Sequence, residues 1–330
     1  MKYLEQQNQY KEVRVLVTGA SGFIGRWVAK LLSEQDSDLW IVDKDKKRLG
    51  NVLETYSITG KPIVVDLSKQ NAFRQLFKEI QPDVVFNLVG YGVSRLENDE
   101  TMAWKINAEL VETMAITIAK ESRSNWKGLS FVHVGSGFEY GSVAGVITEN
   151  VNPKPTTIYG KSKLAGTRKL QEVARLTGLR AVTARLFTVY GPGENPDRLL
   201  PSLLQTARTK EPLKLTKGEQ QRDFTYVKDV AIGLLKLGLL HDFPGQVLNL
   251  ATGKLISVLD FVKCAKYLLG IPSSQLLFGA IPYRKDEIWH NKVDISLLKT
   301  CVYWVPTYSI VEGIQDTIEH EISRKKKIKW

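Results

Sequence analysis

The 330-residue chain is 43% hydrophobic, enough to bury the core of one large or two moderate domains, and its 25% charged content is that of an ordinary soluble protein. No apolar run approaches the roughly eighteen residues of a membrane span, and the polar start MKYLEQQNQYKEV lacks a signal-peptide core. Only two cysteines occur, Cys264 and Cys301. That excludes a disulfide framework or a multi-cysteine metal site, and a reducing cytoplasm is the expected location. The net charge of +11 is concentrated partly in the tail SRKKKIKW (323–330), read as a solvated terminus. No nucleic-acid-binding module accompanies it, so neither nucleic acid nor membrane is expected as a partner.

Apolar runs alternate with helical patterns from the start. VRVLVTG (13–19) reads as a buried strand and FIGRWVAKLLSEQ (23–35) as a helix; DLWIVD (38–43) and PIVVDL (62–67) read as the second and third strands. NAFRQLFKEI (71–80) is a helix, DVVFNLVG (83–90) a fourth strand and residues 101–122 a long helix. LSFVHVGS (129–136) is a fifth strand, residues 156–178 a second long helix closed by glycine, and LRAVTARLFTVYG (179–191) a sixth strand. Buried strands alternating with helices predict an α/β fold: a doubly wound parallel sheet of Rossmann type with a smaller mixed α/β substrate lobe. The rhythm changes at GPGENPDR (191–198). The expected division is a dinucleotide-binding domain of residues 1–190 plus roughly 222–252, a substrate lobe of 191–221 and 253–322, and the basic tail.

The first strand ends in TGASGFIG. Gly19, Gly22 and Gly25 then lie on a strand-to-helix turn, where glycines permit a tight turn and close approach of backbone to a pyrophosphate. The anion would sit on the helix N-terminus, and the strand–turn–helix context is what separates this pattern from a chance string of glycines. Asp43 ends the second strand, placed to bind adenosine ribose hydroxyls and so favour NAD(H). Lys44, Lys46, Lys47 and Arg48 follow at once, and one of them could pair with a 2′-phosphate, so NADP(H) stays open. Asp66, at the end of the third strand, reads either as an adenine contact or as a cap before Ser68.

Tyr159 and Lys163, in YGKSK, are four apart on one helical face. A phenol is a poor acid or base near neutrality, and a neighbouring ammonium is expected to lower its pKa. Ser136, at the end of the fifth strand in HVGSGFEYG, could hydrogen-bond both phenol and substrate oxygen. The three together suit proton transfer coupled to hydride transfer by nicotinamide. His133, inside the same strand, reads as a packed core residue, and His241, His290 and His320 show no metal spacing.

With TGASGFIG, Asp66, GSGFEYG, YGKSK, VYGPGE and RDFTYVKD (222–229) in place, the chain resembles, nearly end to end, the extended short-chain dehydrogenase/reductases of the NAD-dependent epimerase/dehydratase family, which act on nucleotide-sugars. The resemblance implies cofactor contacts from Gly19, Ser21, Gly22, Phe23, Ile24 and Gly25, from Asp43 and Lys44, from Asp66 and Leu67, and from Leu88, Val89 and Gly90 at the fourth strand's end. Tyr159 and Lys163 would meet the nicotinamide end. It makes Ser136 the catalytic Ser/Thr and matches Asn107 to an asparagine supporting the proton path. Family 4,6-dehydratases carry Asp-Glu directly after that Ser/Thr; here Gly137 and Phe138 stand there, which argues against dehydration. Glu139 falls one position late and reads as a turn or lid contact.

The resemblance further places Arg222 and Arg284 on the substrate diphosphate and Thr188, where the family commonly has Asn, near the phosphate or sugar. Tyr91 and Val93 would border sugar and nicotinamide, with Gly137 and Phe138 beside them. Two outcomes fit: a 4-ketoreductase of an NDP-4-keto-6-deoxyhexose, drawing fresh NAD(P)H each turnover, and an NDP-hexose 4-epimerase that retains NAD. Two further readings are a non-catalytic cofactor sensor of the same fold and a reductase of a non-sugar ketone. Homodimerisation through helices 101–122 and 156–178 is implied by the same resemblance.

Overall fold

The computed structural model describes residues 8–92, 97–241, 243–283, 287, 289 and 291–327, with the side chains of 325–327 left aside. Seven parallel strands form the central sheet. In chain order these are β1 (Arg14–Thr18), β2 (Asp38–Asp43), β3 (Lys61–Val64), β4 (Val84–Asn87), β5 (Phe131–Ser136), β6 (Ala181–Leu186) and, later in the chain, β11 (Pro244–Leu250). Their spatial order is β11-β6-β5-β4-β1-β2-β3. The order reverses between β1 and β4, and ligands of such sheets bind outside the strand ends at that switch point.

The inner strands form because each is a largely apolar run buried on both faces, while the edge strand β3 is mostly exposed. β1, for example, presents Val15 and Val17 to one side and Leu16 to the other. The second face is covered by α3 (Ala72–Ile80), α5 (Leu110–Glu121) and α6 (Ile158–Thr177), whose Phe77, Met114 and Leu170 join Leu16, Val85 and Phe131 in one apolar cluster. The first face carries α1 (Gly25–Ser33), α2 (Lys46–Tyr56) and α8 (Val227–Gly238). Its cluster runs unbroken into the smaller lobe through Leu200, Leu203, Phe261 and Leu298.

The expected sixth strand is two strands. β6 stops at Leu186; after Phe187 the chain leaves the sheet as β7 (Thr188–Tyr190), which pairs in parallel with β10 (Phe224–Tyr226). The apolar pattern runs across the break, so periodicity alone does not mark it. The long helix expected at 101–122 is also divided: α4 (Glu100–Trp104), a π-helical turn (Lys105–Glu109) and α5. The second long helix keeps its expected ends, with the Thr157 hydroxyl accepting from Gly160 N at 3.0 Å and Gly178 closing it at φ +72°. The lobe adds α7 (Leu199–Thr209), β8 (Leu213–Lys214), β9 (Gln221–Arg222), β12 (Ile256–Ser257), α9 (Val258–Leu269), β13 (Leu276–Leu277), α10 (Ser296–Val302) and α11 (Ile310–Lys327). α11 carries the helix into the basic tail. No helix among the described residues is long and apolar enough to cross a membrane.

Candidate active site

The Gly-rich turn has the geometry its sequence requires. Gly19 adopts φ +69°, and a Cβ there would lie 2.9 Å from the Leu88 backbone; one at Gly25 would collide with Gly19 O. The turn therefore packs against the end of β4 and opens α1, with the Ser21 N–H directed to the Asp43 carboxylate at 3.3 Å; its glycines leave room for close approach to the backbone. Ser21 donates its hydroxyl to Asp43 at 2.6 Å, and Asp43 also accepts from the Asp45 N–H at 3.1 Å. The Asp43 carboxylate is thus fixed at the end of β2. Asp66 accepts Ser68 N at 3.0 Å, the local turn that was the alternative to an adenine contact. Lys44 is exposed. Phe23, Ile24, Leu67, Leu88, Val89 and Gly90 line the same strand ends.

Across the switch point, β5 ends at Ser136 and α6 presents Tyr159 and Lys163 toward it. The Ser136 hydroxyl is among the groups that favour ionisation of the Tyr159 phenol, and Phe138 meets that ring edge-on at 5.8 Å. Lys163 is buried, its Nζ donating to Val134 O at 2.7 Å. A Cβ on Gly90 would lie 3.7 Å from Lys163 Nζ and 3.8 Å from Asn107 Oδ1, so the β4 loop, the π-turn and α6 converge there. Asn107 accepts from Tyr91 N at 3.0 Å and donates to Tyr91 O at 2.8 Å and Ser162 Oγ at 3.0 Å. Both ends of its amide clamp the Tyr91 loop to α6. Close approach is allowed by Gly166, where any Cβ would strike Asn107 O.

Lys163 is not among the groups that act most strongly on the Tyr159 phenol. Burial pushes the phenol up to about 12, with the Ser136 hydrogen bond and the Arg198 charge working against it and Glu139 and Glu97 with it. Burial likewise pulls Lys163 down to about 8, while Glu139 holds it up. The physical reason is direction: the ammonium is spent on a strand carbonyl, and desolvation dominates both groups. His133 is a buried core residue, held neutral by burial, its Nδ1 3.1 Å from Asn87 Nδ2.

Glu139 makes the expected turn contact, its carboxylate accepting the Ser136 N–H at 2.8 Å across the short turn, but it is no exposed lid residue: its side chain is wholly buried and paired with Arg185 at 2.8 Å, itself only 3% exposed. An arginine inside an apolar strand is the signal that such a partner must exist, and the sequence reading passed over it. Gly137 cannot become the dehydratase aspartate without a shift, since a Cβ there would lie 2.8 Å from the Phe187 ring.

On the substrate side, Arg222 pairs with Glu287 and donates to Gln221 O at 2.9 Å. Thr188 donates its N–H to Asp223 O at 3.0 Å, within the β7–β10 pair. Val93 and Arg284 lie outside the described residues. Two further groups were missed in the sequence. Arg198 pairs with Glu194 at 3.5 Å and acts electrostatically on Tyr159; burial lifts Glu194 to about 7. Their signal was an acid and a base four apart, here preceding a helix. Among the described residues no group of three potential ligands could hold a metal.

Residues 15–251 match the NAD dependent epimerase/dehydratase family. The chain belongs to that family. An uncharacterized UDP-glucose epimerase, YtcB, of Bacillus subtilis is 26% identical over 325 residues, covering 93% of this chain and 98% of that protein. The dTDP-glucose 4,6-dehydratase of Escherichia coli is 24% identical and covers 95% of both. Among solved structures, MoeE5 in complex with UDP-glucuronic acid and NAD superposes with a TM-score of 0.80 at 26% identity, covering 94% of this chain and 99% of that one. The fold and the extended short-chain dehydrogenase/reductase class are thereby established, and with them an enzyme of the sugar-nucleotide type.

Proposed function

We propose that the protein transfers hydride at C4 of a nucleotide-sugar, acting first as a 4-ketoreductase of an NDP-4-keto-6-deoxyhexose. The observation that carries this reading is the Ser136–Tyr159 pair walled by Gly137 and Phe138, with no carboxylate where dehydratases need two. The Gly19–Gly25 turn and Asp43 would hold NAD(H), whose nicotinamide supplies or takes the hydride when bound. Ser136 would hydrogen-bond the reacting sugar oxygen. Tyr159, a neutral phenol at pH 7, is poised to donate a proton to that oxygen, which is the need of ketone reduction. Lys163 would hold the nicotinamide ribose. Phe138, 39% exposed beside Tyr159, offers an apolar wall suited to a deoxygenated C6. Arg222 would exchange Glu287 for the diphosphate. Exposed Ile116 and Leu176 on α5 and α6 would pack against a second copy.

The 4-epimerase is the second reading, favoured by relatives named as epimerases. Mass spectrometry of nucleotide released from freshly purified, denatured protein separates the two. An empty protein that oxidises NADH or NADPH with NDP-4-keto-6-deoxyhexoses supports the reductase. Near-stoichiometric NAD with interconversion of UDP-hexoses supports the epimerase. Failure to bind any added dinucleotide refutes both.

A further inference from the structure

Glu139 occupies a position no part of the proposed reaction uses, yet its carboxylate is saturated. Oε1 accepts the Ser136 N–H at 2.8 Å; Oε2 accepts Arg185 Nε at 2.8 Å and Thr167 Oγ1 at 2.9 Å. Ser136 returns the contact, its hydroxyl accepting from Phe138 N at 3.2 Å. One side chain therefore ties three elements: the end of β5 that carries Ser136, the helix α6 that carries Tyr159 and Lys163, and the neighbouring strand β6. Thr167 stands one turn beyond Lys163 on the same helix, so the tether grips α6 at the catalytic face.

A buried ion pair is costly to desolvate and is often no more stable than an apolar pair of equal volume. Stability alone is a weak reason for placing one under Ser136. We propose that Glu139 is a positioning residue: its carboxylate fixes Ser136 relative to the helix of Tyr159 and Lys163 and supplies negative charge to the Lys163 ammonium. This inference rests on the reading of Ser136, Tyr159 and Lys163 as the proton-transfer group. The surroundings support it. The charged and titratable groups acting on Lys163 and Tyr159 are Glu139 on the β5 turn, Glu97 on the β4 loop, Arg198 before α7 and, facing Lys163 from β5, His133. His133 is held neutral. Of the rest, Glu139 is the group that opposes the desolvation of Lys163.

The test uses the full chain and two variants. Glu139→Gln combined with Arg185→Met removes both charges together, so neither is left orphaned; Thr167→Val cuts only the tether to α6. Circular dichroism and urea unfolding establish that each is folded, and the Lys163 13Cε resonance, assigned by its absence in Lys163→Arg, is titrated. In the double variant the Lys163 midpoint is expected to fall by about one pH unit. Turnover in the proposed reaction is expected to drop about tenfold in kcat with KM within about twofold, and the alkaline limb of the kcat profile to move to lower pH. The sign follows because a lysine with a lower pKa loses its proton sooner as pH rises. Thr167→Val is expected to lower kcat without moving that limb. An unchanged Lys163 midpoint, or loss of stability with an unaltered pH profile, overturns the proposal and leaves Glu139 a structural pair. If no nucleotide-sugar turns over, the functional reading fails, while the Lys163 titration still decides the role of Glu139. A double variant that does not fold is replaced by Glu139→Asp, whose shorter carboxylate keeps the charge but cannot reach Ser136 N and Thr167 together; unchanged kcat there also overturns the proposal.

Discussion

Two of the arginine–glutamate pairs around the candidate site differ in everything but chemistry. Arg185–Glu139 lies under β5 and β6, sealed from water and bonded to Ser136 and Thr167 as well as to each other. Arg222–Glu287 lies outside the central sheet, its side chains 16% and 13% exposed, with Arg222 on a two-residue strand paired with β12. The first pair can be changed only by repacking three elements. The second can open by moving one carboxylate. On the proposed reading the chemistry is built on the rigid sheet, and recognition on a lobe held by short strands, where an arginine would trade an internal partner for a ligand phosphate.

Substitutions should therefore separate into kcat effects on the sheet side and affinity effects on the lobe. The largest expected effect is Tyr159→Phe, which leaves the fold and dinucleotide binding in place but removes the proton donor. Turnover should fall about a thousandfold with little change in KM, measured by NADH or NADPH oxidation on a 4-keto-sugar nucleotide. A variant that keeps its rate would mean that Tyr159 is not the acid, and the comparison would lose its catalytic side.

The second prediction concerns Lys163, whose pKa burial lowers from its ordinary 10.5 to about 8. Between those values the unfolded chain binds a proton that the folded chain does not. Folded stability contributed by this group therefore rises with pH across that window, and the full penalty stands below about pH 8. Lys163→Met should be inactive yet more stable at pH 7, by on the order of 3 kcal/mol at most. Urea unfolding should show the advantage shrinking as pH rises toward 10.5, the ordinary lysine value. A constant advantage would mean that Lys163 titrates normally in the fold.

This contrast also explains what was legible in the sequence. The sheet was readable because its signals are local: buried strands such as RVLVT, a glycine turn, and a Tyr–Lys pair one helical turn apart. The break after Leu186 was not, because Phe187 continues the apolar run while the chain departs to pair with β10. The burial of Glu139 and its ion pair were missed for the same kind of reason, although its turn contact was not. GSGFEYG has the composition of an exposed turn, and its partner Arg185 is 46 residues away. The Tyr159–Lys163 spacing predicted a shared face correctly, but spacing carries no information on burial, which sets both pKa values. The family resemblance pointed to Arg222 as a diphosphate contact, which remains a proposal, whereas its internal partner Glu287 lies 65 residues on and no local pattern joins them.

Arg222→Ala gives the intermediate effect. It should weaken binding of a nucleoside diphosphate about 10–100-fold, the worth of a charge-assisted hydrogen bond, with kcat nearly unchanged. Isothermal titration with UDP and dTDP checks this, and a kcat loss without an affinity loss would place Arg222 outside the diphosphate site.

The smallest effect, and the sharpest on the comparison, belongs to Glu287→Gln. If Glu287 holds Arg222 until a diphosphate displaces it, neutralising the carboxylate removes a competitor, and the nucleoside diphosphate should bind about threefold more tightly. Stability should fall modestly, because the pair is largely shielded from water while Arg222 keeps its bond to Gln221 O. The opposite sign is equally informative. Weaker binding would mean that Glu287 orients the guanidinium for the ligand, as Glu139 is proposed to orient Ser136. The two pairs would then differ in exposure but not in kind, and the lobe would be as preorganised as the sheet.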